Sequence, residues 1–191
     1  MNFLAHFLLS GKSDPLIVGN FLGDFLKNRE VAALPETVRA GVILHRHIDT
    51  FTDRHPAVLQ SVQRLRPVHG RYSPVLLDVF YDFILAKNWE TYCSQNLGDF
   101  AAEKYEILQR HLHLMPDFLQ ERLPLMIADD WLVRYGTEEG LRFTFDRMTQ
   151  RGVAPGDAGE ARGPGPPQRP PPPRHHQGRL PMSVAVRAAG R

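Results

Sequence analysis

Cysteine is nearly absent, Cys93 being the only one in 191 residues. No intrachain disulfide can form and no cysteine-based zinc cluster can be assembled, which fits a reducing compartment. Long apolar runs are missing as well, and no window reaches the ~18 uninterrupted apolar residues that a membrane-spanning helix needs. The first six residues, Met-Asn-Phe-Leu-Ala-His, lack the basic stretch of a secretory signal. The expected location is therefore the cytoplasm, with no membrane partner. There is no glycine-rich phosphate loop, no Gly-x-Ser-x-Gly elbow and no His-Glu-x-x-His motif. Sustained period-two alternation is also missing, so strands are not expected.

The charge is small overall, +2, but it is unevenly spread. Residues 1–150 hold 16 Lys and Arg against 19 Asp and Glu, a net of −3, whereas residues 151–191 hold 7 Arg against 2 acids, a net of +5. The basic pI belongs to the tail and is no argument for nucleic-acid binding by the rest. Nucleic acid is not an expected partner. The same stretch, 151–191, contains 9 of the 16 prolines and 7 of the 15 glycines. Proline removes amide donors and glycine is costly to order, so the sequence predicts a disordered tail after a folded domain at 1–150. A proline-rich ligand for an SH3-like groove is one reading of that tail. A frameshifted C-terminus is another, since an aperiodic Arg/Pro/Gly/Ala mixture is what GC-rich DNA yields out of frame.

Within 1–150 the apolar residues recur at helical spacing. Ser13-Asp14-Pro15 opens a helix running to about Lys27, because proline suits the first helical position. Leu34-Pro35-Glu36 opens the next, to about Phe51, and His55-Pro56 a shorter one to about Leu65. Ser73-Pro74 opens the most apolar run, ending near Trp89. Further helices are expected over about Leu97–His113, Asp117–Val133 and Thr137–Met148. The fold class is all-α, an irregular bundle of about seven helices.

Four polar groupings fall on these helices. Asp24 ends Gly19-Asn20-Phe21-Leu22-Gly23-Asp24, among apolar neighbours. It is either a surface carboxylate or one paired or bound to metal, since an isolated buried carboxylate is costly. His45, Asp49 and Asp53 are spaced four apart and stack on one helical face. They read as a solvated charged face or as donors for a divalent hydrolytic metal such as Mn²⁺, Mg²⁺ or Fe²⁺. Arg46 and His47 point elsewhere, and Arg46 offers a fork to phosphate. Asp78 and Asp82 are again four apart, in the most apolar helix, and would repel unless a cation or proton lay between them. Asn2 and His6 sit in an apolar opening helix, where His6 is either a satisfied core histidine or a ligand.

Met-Asn-Phe-Leu-Ala-His at 1–6, Val-Gly-Asn-Phe-Leu-Gly-Asp at 18–24, Leu-His-Arg-His-Ile-Asp-Thr-Phe-Thr-Asp at 44–53 and Leu-Leu-Asp-Val-Phe-Tyr-Asp-Phe at 76–83 resemble the acyl carrier protein phosphodiesterases. The four segments occur in that family's order over about residues 1–150. The resemblance implies an all-helical fold like that of the HD-type metal phosphohydrolases, although no literal His-Asp dipeptide occurs here. It implies removal of 4′-phosphopantetheine from holo-acyl carrier protein, with acyl carrier protein as substrate and a divalent metal, Mn²⁺ being favoured and Mg²⁺ or Fe²⁺ alternatives. It implies metal ligation by Asp24, His45, Asp49 and Asp78, with Asp53 and Asp82 as further ligands or outer partners. Arg46 would offset charge on phosphate, while His6 and Asn20 would orient metal, water or phosphate. Arg39, Arg64, Arg66 and Arg71 flank the expected site as a basic rim. The family also continues past residue 150 with a further helical segment, where this chain has its Pro/Arg stretch. A hydrolase of nucleotides or other small phosphoesters, and a helical binding module without activity, are the competing readings.

Overall fold

A computed structural model describes residues 3–151. The Pro/Arg-rich stretch from 152 onward, and with it the expected disordered tail, lies outside the described residues. Eleven α-helices and no strand occur among the described residues, in keeping with the all-α expectation. The long ones are α2 (Asp14–Leu22), α4 (Glu36–Arg54), α5 (Pro56–His69), α6 (Ser73–Lys87), α8 (Leu97–Arg110), α9 (Asp117–Ala128) and α11 (Glu138–Arg151). Four shorter ones, α1 (Phe3–Leu9), α3 (Asn28–Ala32), α7 (Trp89–Tyr92) and α10 (Trp131–Arg134), lie between or before them.

The helix starts follow the sequence signals closely, because they are local. Proline at the first helical turn of α2, α5 and α6 has the helical φ built in and lacks an amide that would have no partner there. The ends depend more on surroundings. Asn88 stops α6 at Lys87, so Trp89 starts a helix of its own and donates its indole N–H to Gln95 O at 2.7 Å. The expected helix from Asp117 to Val133 breaks at Asp130, whose φ of 44° is left-handed. The Tyr105 hydroxyl braces that break by donating to Asp130 Oδ1 at 3.1 Å and accepting from Leu132 N at 2.9 Å.

The core is built around α1 and α2. Residues 17–22 of α2 are all buried, as expected of a helix enclosed on every side. Phe3 stacks edge-on against Trp131 at 4.6 Å and tilts against Phe21 at 5.6 Å. A seven-residue helix such as α1 does not persist alone in water. Burial of Phe3, Leu4 and Phe7 contributes roughly 5–9 kcal/mol, at about 1.5–3 kcal/mol for each large apolar side chain, and this packing holds it. On α4 the buried residues Val38, Gly41, Val42, His45, Ile48 and Thr52 form one stripe at three- and four-residue spacing. That stripe faces α2, and the two helices make the most extensive contact in the fold. Gly19 and Gly41 permit it: a β-carbon at position 19 would run into the Val38 carbonyl, and one at 41 into the Leu16 carbonyl.

Candidate metal centre

His6 comes from α1, Asn20 from α2, Asp24 from the turn after α2, and His45 and Asp49 from successive turns of α4. The close glycine contact between α2 and α4 is what lets Asn20 reach His45. Gly23 clears the remaining space, since a β-carbon there would collide with the His45 ring. The imidazoles of His6 and His45 stack with centroids 4.2 Å apart and planes 19° from parallel. Both are buried.

Asn20 sets the direction of both rings. Its Nδ2 donates to His6 O at 3.0 Å and to Ser10 Oγ at 2.7 Å. The His6 carbonyl can only accept, which assigns the amide orientation. Asn20 Oδ1 then accepts from Nδ1 of His6 at 2.7 Å and from Nδ1 of His45 at 3.1 Å. Both protons are therefore assigned to Nδ1, and both Nε2 atoms face the opposite way. There His6 Nε2 lies 3.1 Å from Asp49 Oδ1, and His45 Nε2 lies 3.1 Å from Asp49 Oδ2 and 3.4 Å from Asp24 Oδ1.

This geometry calls for positive charge at one point. An imidazole nitrogen beside a carboxylate oxygen needs a proton or a cation between them. Burial works against a charged His45, but the bonds to Asp24 and Asp49 outweigh it and raise that ring to about 9. Burial likewise opposes the Asp49 charge, while His45 and His6 hold its carboxyl well below the usual range. Protons on both Nε2 atoms would stack two cationic rings face to face at 4.2 Å, which is unfavourable. One divalent ion would satisfy the same carboxylates without that repulsion. The donor atoms of His6, His45 and Asp49 lie within 4.8 Å of one another, and two imidazoles with a carboxylate suit a transition metal of the Mn²⁺, Fe²⁺ or Zn²⁺ kind.

The other expected residues are placed as follows. Asp24 reaches the His45 side of the cluster, with its side chain about one-third exposed (31%). Asp78 stands half-buried on α6, outside the three-donor group. Burial pushes its carboxyl upward. Asp53 is exposed near the end of α4. Arg46 lies on the surface and donates to Asn28 Oδ1 at 2.8 Å. Asp82 is fully buried, and its two oxygens accept from Leu4 N at 2.8 Å and Ala5 N at 3.2 Å. The sequence pattern offered no structural use for an acid at that position in an apolar helix; the structure supplies one, a cap for the first turn of α1. His6 moves the other way, from an orienting role to one of the three converging donors. Ser10, whose hydroxyl donates to His6 O at 2.8 Å while receiving Asn20 Nδ2, carried no signal in the sequence.

Residues 1–161 match the family model described as acyl carrier protein phosphodiesterase. The chain belongs to that family. A relative named acyl carrier protein phosphodiesterase from Photorhabdus laumondii is 32% identical over 136 residues, covering 71% of this chain and 69% of the relative. One of the same name from Escherichia coli is 31% identical over 156 residues, covering 79% of each. A third, from Yersinia pestis, is 32% identical over 136 residues, covering 71% of this chain and 70% of its own. No solved structure matches the chain. The family match spans every helix that contributes to the His6, Asn20, His45 and Asp49 cluster, so this member of the acyl carrier protein phosphodiesterase family has the cluster within its matched region.

Proposed function

We propose that this chain hydrolyses the phosphodiester joining 4′-phosphopantetheine to a serine of holo-acyl carrier protein, releasing apo-acyl carrier protein. Family membership supports the reaction, and one observation supports the site: two buried imidazoles and a carboxylate converge on a single point behind a shared amide. His6, His45 and Asp49 would hold a divalent cation, Mn²⁺ by preference, with Asp24 as a fourth oxygen donor. Such an ion, when bound, supplies positive charge to phosphoryl oxygens and lowers the pKa of water.

The remaining work falls to the chain's own groups. Asn20 keeps the Nδ1 protons in place, so that in the neutral rings the Nε2 atoms are the ones that would face the ion. Hydrolysis adds the elements of water across the P–O bond to serine, so hydroxide goes to phosphorus and a proton to the departing serine oxygen. We assign the second task to Asp78, whose burial favours the protonated form. Arg46, tied to Asn28 at the surface, takes no part in this reading.

The test is intact-mass detection of phosphopantetheine loss from holo-acyl carrier protein with and without Mn²⁺. Wild type is expected to release it only with metal, His6→Ala not at all, and Asp78→Asn slowly. Release at the wild-type rate by folded His6→Ala, or by chelator-stripped protein, would overturn the assignment.

A further inference from the structure

From Arg54 to Leu77 the chain carries four arginines, at 54, 64, 66 and 71, two histidines and no acidic residue. That stretch stands out in a region, 1–150, whose net charge is −3. It runs from the end of α4 through α5 and the following turn into the start of α6, and α5 has no buried residue. Its half-buried side chains, Val58, Ser61, Val62 and Leu65, recur at helical spacing and make one inward stripe. The Tyr81 hydroxyl of α6 donates to Ser61 Oγ at 3.4 Å. The other side of α5 stays in water and alternates apolar with cationic groups. Leu59, Gln63 and Arg66 share one exposed strip, and Gln60, Arg64 and Val68 the next. Leu59 is 47% exposed, Val68 68%, and Phe51 at the preceding end of α4 74%.

Single exposed apolar residues are ordinary. Apolar residues set among arginines, in a stretch of sequence without Asp or Glu, are a different pattern, complementary to a surface that is itself acidic and partly apolar. Position adds to this. α5 packs on α4, which holds Asp49 and Asp53, and on α6, which holds Asp78. Arg39, on the first turn of α4, lies at the opposite end of that helix from α5 and outside this surface.

We propose that the outward face of α5, with Phe51 before it and Arg71 after it, is the docking surface for an acidic protein partner. The proposal rests on the function proposed above, under which that partner is the protein part of holo-acyl carrier protein. Arginines of this exposed kind set encounter rate and salt dependence, leaving the chemical step to the buried centre.

The experiment uses the full chain with Arg66→Glu/Arg71→Glu and, separately, Leu59→Ser, each checked by circular dichroism. Two quantities are read: KM and kcat for holo-acyl carrier protein with Mn²⁺, and calorimetric binding of apo-acyl carrier protein, which carries no scissile group. The double variant is expected to raise KM by about tenfold or more with kcat within about twofold, and to weaken apo-protein binding in parallel. High salt should weaken the wild type toward the variant. Wild-type KM and binding in both variants would overturn the docking surface even if release occurs. Salt-sensitive binding of the apo protein that the variants lose, with no release by wild type, would keep this surface and overturn the proposed reaction.

Discussion

Asn20→Ala separates an orienting role for this amide from a merely structural one. Asn20 has no exposed surface. Its oxygen is the acceptor for both Nδ1 groups, at 2.7 and 3.1 Å, and its nitrogen bridges His6 O and Ser10 Oγ. Alanine leaves two buried N–H donors unpaired, at about 1–3 kcal/mol each, so the metal-free protein should lose roughly 3–5 kcal/mol with the cavity included. Both rings also become free to change tautomer or rotate. Loss of an outer hydrogen bond to a histidine ligand weakens metal binding by about 10–100-fold, and both rings lose theirs here, so the upper end is expected. Asn20→Asp retains an oxygen facing both Nδ1 groups. It places a second oxygen against the His6 carbonyl instead, which costs stability but leaves the tautomers intact. Mn²⁺ titration calorimetry on chelator-stripped protein, with folding checked by far-UV circular dichroism, is the assay. The expected order is Asn20→Asp at or above wild type and Asn20→Ala about 100-fold weaker. A folded Asn20→Ala variant with wild-type affinity would refute the reasoning.

Two stability predictions follow from the packing around this centre. Gly19→Ala places a carbon against the Val38 carbonyl and should cost about 1–3 kcal/mol or more, a melting-point fall of about 2–4 °C per kcal/mol for a chain of this size. Gly98→Ala, whose nearest neighbour would be an Asn96 side-chain atom at 3.4 Å, serves as the neutral control, and equal melting points for the two variants would count against the close-contact account. Burial pushes Asp82 up to about 7 against the pull of its two backbone donors. The folded state therefore holds a proton that the unfolded state has released between about pH 4 and 7, so this group's contribution is full at the acid end. It falls away progressively as pH rises from about 4 to about 7, by on the order of 4 kcal/mol in all. Urea unfolding at pH 5 and pH 8 should show a smaller pH difference for Asp82→Asn than for wild type, and equal differences would sink the idea.

The helix starts were readable because their causes lie within three or four residues. Asp14-Pro15, Pro35-Glu36, His55-Pro56 and Ser73-Pro74 each act through proline's fixed φ, a missing amide or a nearby cap, and the observed helices begin at 14, 36, 56 and 73. The stacking of His45 above Asp49 was readable for the same reason, as one turn of helix. The helix ends were less so, since the break at Asp130 depends on Tyr105, 25 residues away.

What the sequence alone determined is the all-helical class, the family and the α4 pair of donors, all of which rest on local spacing or on order along the chain. The tertiary structure decided the rest of the centre. His6 meets Asn20 across 14 residues and Asp49 across 43, while Asp82 caps α1 across 77 and 78. None of these separations has a period to detect, and the meeting of His6 with Asp49 needs α4 closed on α2 at Gly19 and Gly41 with α1 buried beside them. A carboxylate four residues from another on an apolar helix is compatible with ligand, base or cap. At Asp82 folding brings two amides to the carboxylate, which caps α1.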